Sequence, residues 1–385
     1  MKTIEFPAAD STLLHVEEGN VVARGEVGRT AGTLSLPDDV EPTITEVDGQ
    51  TRLHLSRLLA ISLPTGVTLQ IEGRPRDVVL RNLSAAQVQQ CSGDLVASDL
   101  ETLHVSEAVS GDVALRKITH TAQVQVTRGD LAASHIANLQ AAEVRGSVSI
   151  SQVQRLHLGQ IGGDLAVTGA GEADIQRVGG DASFSSVRDR LSLLKVGGDL
   201  AVNSPGQTVT AGQVAGDAAL RGPLAAGGMY GITASGTVAL RVSGGARLTV
   251  ACRGDVISGA DIALTQDAQG RFQGRIEGAE PLAELTIDAG GDVLINSSSR
   301  GQRRQHAHVE KEIKQAMQEV KRELRRTAAT ISEEARRARR SVEVELNGAD
   351  VRENLGASVR DMVRDLLDSL DPQARSAPRP APPRP

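Results

Sequence analysis

A Gly-Asp dipeptide that returns every 17 or 18 residues constrains this chain more than any other feature of it. It stands at Gly93-Asp94, Gly111-Asp112, Gly129-Asp130, Gly163-Asp164, Gly180-Asp181, Gly198-Asp199, Gly216-Asp217, Gly254-Asp255 and Gly291-Asp292. Degenerate members fall at Arg76-Asp77, Gly146-Ser147, Gly236-Thr237 and Gly274-Arg275, and two of the steps lengthen to 20 residues. A fixed period of this size marks a stack of supersecondary units, none of which folds alone.

The residues after each turn identify the unit. Leu95 and Ala97, Val113 and Leu115, Val148 and Ile150, Leu165 and Val167, Leu200 and Val202, Val238 and Leu240, and Val293 and Ile295 alternate with small residues such as Ala114, Ser149 and Ala201. A period of two is a strand with one face inward. A second apolar pair comes later in each coil, as at Leu103 and Val105, Val124 and Val126, Leu156 and Leu158, or Leu191 and Leu193. The expected fold class is therefore mainly β: a single-stranded, right-handed β-solenoid of 17–18 residues per coil, with 12 to 13 coils over residues 77–297. At about 4.8 Å per coil the stack would run about 60 Å.

Composition agrees. There is no Trp, one Tyr (Tyr230) and three Phe, so a large mixed core filled by aromatic volume is excluded, whereas aliphatic coils need none. Cys91 and Cys252 lack metal-ligand spacing, and as nine coils separate them, about 43 Å, they cannot form a disulfide.

The flanks break the register. Residues 1–76 hold strand-like stretches at Thr33 to Leu36, Arg52 to Leu55 and Val67 to Ile71 between prolines and are expected to cap the stack with β structure. After Asn296 the period becomes helical: Ile313, Met317, Val320, Leu324, Ala328, Ile331, Ala335, Ala338 and Val342 mark a basic amphipathic helix over 305–346. Thirteen Lys and Arg against six Glu lie between residues 300 and 340, in a chain whose net charge is −6, which sets this module apart. A second helix over 350–370 starts at a capping box, Asp350 to Glu353, and residues 371–385 read as a disordered Pro-rich tail.

Few residues suggest chemistry. Asp94, Asp112, Asp130, Asp164, Asp181, Asp199 and Asp217 would stack about 5 Å apart and could form a cation ladder. The simpler reading has each Asp accept hydrogen bonds from backbone amides of its own turn. His104 and His157 share a repeat offset but lie three coils apart, about 14 Å, too far for one metal. His306 and His308 read as solvated linker residues. No Ser, His and acid set and no phosphate-binding loop appears, and the scarcity of aromatic platforms argues against a polysaccharide-cleaving enzyme. No cofactor and no small-molecule substrate is expected.

The stretch Ile61-Ser62-Leu63-Pro64-Thr65-Gly66-Val67-Thr68-Leu69-Gln70-Ile71, leading into Ser92-Gly93-Asp94 and Ser110-Gly111-Asp112, resembles the bacterial "putative adhesin" family of β-strand-repeat proteins over roughly residues 45–297. That resemblance implies a β-solenoid, a bacterial origin and no established catalytic activity. Coil length and aliphatic repeats are also similar to bactofilins, the polymer-forming bacterial cytoskeletal proteins.

The expectation is a non-enzymatic scaffold or interaction protein whose partner is a protein or a second copy. One alternative is an envelope-associated, adhesin-like protein that meets a membrane surface through Arg325, Arg326, Arg336, Arg337, Arg339 and Arg340; nucleic acid is the less favoured partner of the same residues. Another is a bactofilin-like polymer. Met1 to Pro7 lacks the apolar run of a secretory signal and no stretch is long enough to cross a bilayer, so a cytoplasmic, at most membrane-peripheral, protein is expected.

Overall fold

Each step from Arg76-Asp77 to Gly236-Thr237 carries the chain onto a new rung of one parallel stack in the computed structural model, which describes residues 2–58, 60–259 and 262–296. About ten turns of β-solenoid wind in chain order, and no helix occurs among the described residues. The register is regular: Leu95, Val113, Leu131, Val148, Leu165, Ala182, Leu200, Ala218 and Val238 each sit beside the next.

The stacking buries six side chains per coil. In one coil these are Val148, Ile150, Val153, Leu156, Leu158 and Ile161, none more than 2% exposed. The step from Ile150 to Val153 breaks the alternation, and the backbone shows why. Gln152 between them has φ +53°, and one left-handed residue swaps the faces so that the next position points inward again. Equivalent corners stand at Asn82, Asp99, Lys117, His135, Gly169, Ser186 and Ser204, one per coil.

At both ends the rungs are out of chain order. Toward the C-terminal end Val238 pairs with Val293, and Val293 with Val256, so the strands Ala283–Ala289 and Val293–Ile295 lie between the rung of Val238–Ser243 and that of Val256–Ser258. At the other end Ser11–Val16 and Val21–Glu26 lie between the rung of Gln50–Leu55 and Ala60–Pro64 and that of Thr68–Gly73 and Val78–Arg81. Parallel rungs therefore extend into a region where the Gly-Asp period is absent.

Antiparallel strands cover both outer rungs. Thr43–Val47 folds onto Gln50–Leu55 through Asp48-Gly49, both at positive φ as a tight hairpin turn demands. Ala31–Leu36 pairs antiparallel with Ala60–Pro64 and in turn with Lys2–Pro7. On the opposite end Phe272–Ile276 pairs antiparallel with Ala246–Cys252, and Leu264–Gln266 with Phe272–Ile276. This corrects one expectation: Gly274-Arg275 is not a coil turn but the middle of that antiparallel strand. Both cysteines are free; burial pushes the Cys91 thiol up to about 12.

The expected helices over 305–346 and 350–370 and the tail over 371–385 lie outside the described residues.

Candidate functional site

The Asp column forms, but its hydrogen bonds run between coils and not within one turn. The amide of Asp112 donates to Oδ1 of Asp94 at 2.8 Å, that of Asp130 to Asp112 at 2.8 Å, and that of Ser147 to Asp130 at 2.7 Å. Ser147 Oγ stands in as acceptor for the Asp164 amide at 3.2 Å. The series resumes from Asp164 to Asp181, Asp199, Asp217 and Thr237 at 2.7–2.9 Å. The own-turn reading is thereby overturned. The physical reason lies in the strand ladder: each Gly amide reaches the Gly carbonyl one coil back, as Gly111 does to Gly93 at 2.9 Å. The next amide, that of the Asp, has no carbonyl left to reach, and the carboxylate one coil back supplies its acceptor.

The same contact explains the glycine. A Cβ at Gly111 would stand 2.0 Å from Asp94 Oδ1, and one at Gly198 2.0 Å from Asp181 Oδ1. Gly and Asp are thus a unit across two rungs, Asp below and Gly above. The first Gly of the Gly-Gly-Asp triplets has a separate cause, since a Cβ at Gly179 would lie 2.2 Å from the Gly162 carbonyl oxygen.

With Oδ1 committed to an amide, these carboxylates serve the backbone. For Asp112, burial raises the pKa above the ordinary carboxylate value; the Asp130 amide opposes this, and the charges of Asp130 and Asp94 add to the rise. Among the described residues no three His, Cys, Asp or Glu side chains come together as a metal-binding group.

Sequence reasoning missed three polar features. Asn20 opens the column by accepting the Asp77 amide at 3.3 Å; Gly19-Asn20 before Val21 was the available signal. His15 and His54 stack at 4.8 Å, and His54 Nε2 lies 3.2 Å from Glu17. Buried Tyr230 donates to the Gly206 carbonyl at 2.6 Å and accepts from the Ala225 amide at 2.8 Å, pinning the loop before it. The expected separation of His104 and His157 holds, because Gln123 and Gln140 occupy the rungs between them.

Two of the shallow grooves among the described residues cross the outer surface. One, of about 420 Å³, is lined by Arg155, His157, Glu172, Asp174 and Arg190. Its charges alternate from rung to rung: Arg155 faces Glu172, Glu172 faces Arg190, and His157 Nδ1 is 3.6 Å from Asp174. Such opposed pairs are the ordinary stabilising ladder of a sheet surface. The second groove, of about 520 Å³, is floored by Gly162, Gly179 and Gly197 and carries Arg145, Arg177 and Lys195. Glu143 also lines it, but its Oε1 is 3.0 Å from Arg145 Nε.

Arg325, Arg326, Arg336, Arg337, Arg339 and Arg340, with His306 and His308, lie outside the described residues. Among the described residues no helix is long and apolar enough to cross a membrane.

No protein-family model matches the chain, and neither does any curated protein. A solved structure described as a "putative cell adhesion protein" from Clostridium sporogenes aligns with 76% of this chain and 98% of its own at 11% identity, with a TM-score of 0.15. A superposition of that quality carries no argument about function.

Proposed function

We propose that this protein is a non-enzymatic scaffold: a β-solenoid, wound right-handed as parallel crossovers generally are, that presents its outer faces to a macromolecular partner. The observation that carries this reading is the use made of the polar groups the repeat supplies. The Asp column satisfies backbone amides, and in the charged groove Arg155 and Arg190 each stand opposite Glu172 on the neighbouring rung.

The ends favour lateral contact over filament growth. The outermost strands carry the devices that blunt edges: Pro7 and Lys2 on one, Glu46 beside Asp48 on another, and Asp267 next to Leu264–Gln266. An end-to-end, bactofilin-like polymer therefore has poor edges to pair. Residues 305–346, with their helical period and basic excess, are the proposed contact segment toward a protein or an anionic membrane surface. Light scattering and negative-stain microscopy of the full chain across a concentration series test the reading. Discrete short particles of fixed mass are expected, and filaments that lengthen with concentration would overturn it.

A further inference from the structure

The groove of Arg145, Arg177 and Lys195 breaks a rule that its neighbour obeys. Arg177 and Lys195 sit directly opposite each other in register, on rungs about 4.8 Å apart, and both are exposed. Like charges directly opposite on a sheet repel. One groove away every cation faces an acid on the adjacent rung, so the repeat readily accommodates alternation. Here the register runs Glu143, Gln160, Arg177, Lys195, and the single acid is tied to Arg145. Among the described residues neither Arg177 nor Lys195 has an acidic partner. The floor beneath them is bare, because the carbonyls one coil back exclude a Cβ at Gly162, Gly179 and Gly197. The result is a cationic trough, open to solvent, on a chain of net charge −6.

We propose that this trough binds a tetrahedral oxyanion, a phosphate group held between the Arg177 guanidinium and the Lys195 ammonium, with Gln160 beside them as a further donor. A guanidinium offers two parallel donors to such a group, and an ammonium adds a point charge; together they turn the repulsion into a clamp.

Phosphorus NMR line broadening and calorimetric titration of the full chain with inorganic phosphate and pyrophosphate, at low ionic strength, test the assignment. Saturable binding is expected. The double variant Arg177→Gln/Lys195→Gln should weaken it at least about tenfold, the scale of losing two charge-assisted hydrogen bonds. The control pair Arg155→Gln/Arg190→Gln should leave it within about twofold of the parent, since each of those cations faces an acid on the adjacent rung. Binding that survives in the first pair, or is absent in the parent, overturns the proposal. The source of the phosphate is read with phosphatidylglycerol against phosphatidylcholine vesicles. Co-sedimentation lost in the double variant and competed by pyrophosphate assigns a lipid headgroup; co-sedimentation indifferent to the variant, with phosphate binding lost, assigns a free phosphate. This outcome is separate from the scaffold reading, which stands or falls on assembly state.

Discussion

The claim that Gly and Asp form a unit across two coils can be tested at Gly198 by a double-mutant cycle. A Cβ there would stand 2.0 Å from Asp181 Oδ1, while the nearest backbone atoms, the carbonyl carbon and oxygen of Gly180, lie at 3.1 Å. Gly198→Ala should therefore cost about 1–3 kcal/mol as an overpacked site, nearly all of it owed to one oxygen. Asp181→Ala removes that oxygen but leaves the Asp199 amide, bonded to it at 2.8 Å, without a partner. That loss is worth about 1–3 kcal/mol. In the double variant no oxygen remains to collide, so its cost should stay near that of Asp181→Ala alone. The expected coupling is therefore about 1–3 kcal/mol, within the range for touching residues. Urea midpoints of the full chain by far-ultraviolet circular dichroism measure it. The cycle of Gly198→Ala with Asp199→Ala, within one turn, should be additive. Additivity at Asp181 and coupling at Asp199 would refute the cross-coil arrangement.

Single positions give four further expected outcomes. Thr127 occupies a buried column otherwise filled by Val109, Val144, Ile161 and Val178, and its hydroxyl has no partner; Thr127→Val should raise the urea midpoint by the equivalent of about 1 kcal/mol, and a fall would show that the hydroxyl is bonded. Asp112→Asn keeps the acceptor for the Asp130 amide at 2.8 Å and removes one charge of the column. Because burial raises the folded pKa of Asp112, its ionised form is the disfavoured one: the variant should match the parent in acid and exceed it by roughly 0.2–1 kcal/mol once pH has risen through the folded value, so parallel pH profiles would count against this reading. At the corners, Gln152→Gly should stabilise by roughly 0.5–1 kcal/mol by relieving φ +53°, and Gly169→Ala, where φ is +75° and the nearest atom to a Cβ is 3.7 Å away, should cost about 1 kcal/mol from backbone strain alone; calorimetric midpoints decide both.

How much of this was legible depended on whether the cause lay in one residue type. The Gly-Asp steps could be read because steric exclusion admits only Gly at one position and an acceptor at the next, whatever the rest of the coil holds. The inward aliphatic pairs could be read from their alternation, except in the coil of Val124, where Ala122 and not Val126 is its inward companion and stands beside Leu103. The left-handed corners could not: Asn82, Asp99, Lys117, His135, Gln152, Gly169 and Ser186 share a conformation imposed by the rungs above and below, and no side chain is required to produce it. Gly19-Asn20 escaped because its partner Asp77 is 57 residues away yet on the neighbouring rung, a result of the inverted rung order. Likewise the His15 and His54 stack depends on rung order, which periodicity alone does not encode. The charge pairing of Arg155, Glu172 and Arg190 was present in the 17- and 18-residue spacing, but a search for apolar periodicity passes over it.

The inverted rung order at the two ends has a physical consequence that the regular middle does not share. In a stack stabilised by nearest-neighbour interfaces, a terminal coil has one interface instead of two and frays first. Had the chain simply wound to its last coil, that coil would also be a free tail, and fraying would release its full conformational entropy. Here the outermost rungs, Gln50–Leu55 with Ala60–Pro64 and Ala246–Cys252 with Val256–Ser258, are each held in sequence between two rungs that lie deeper in the stack. An outer rung that opens becomes a loop closed at both ends, and a closed loop gains less freedom than a tail of equal length. The antiparallel hairpins then occupy part of the edge that opening would expose. Together these features make the ends cooperative with the middle, so that hydrogen exchange in Leu53 and Val250 should be nearly as slow as in Leu156. Exchange at those two amides orders of magnitude faster than at Leu156 would show that the terminal rungs open independently, and the advantage assigned to the inverted order would be lost.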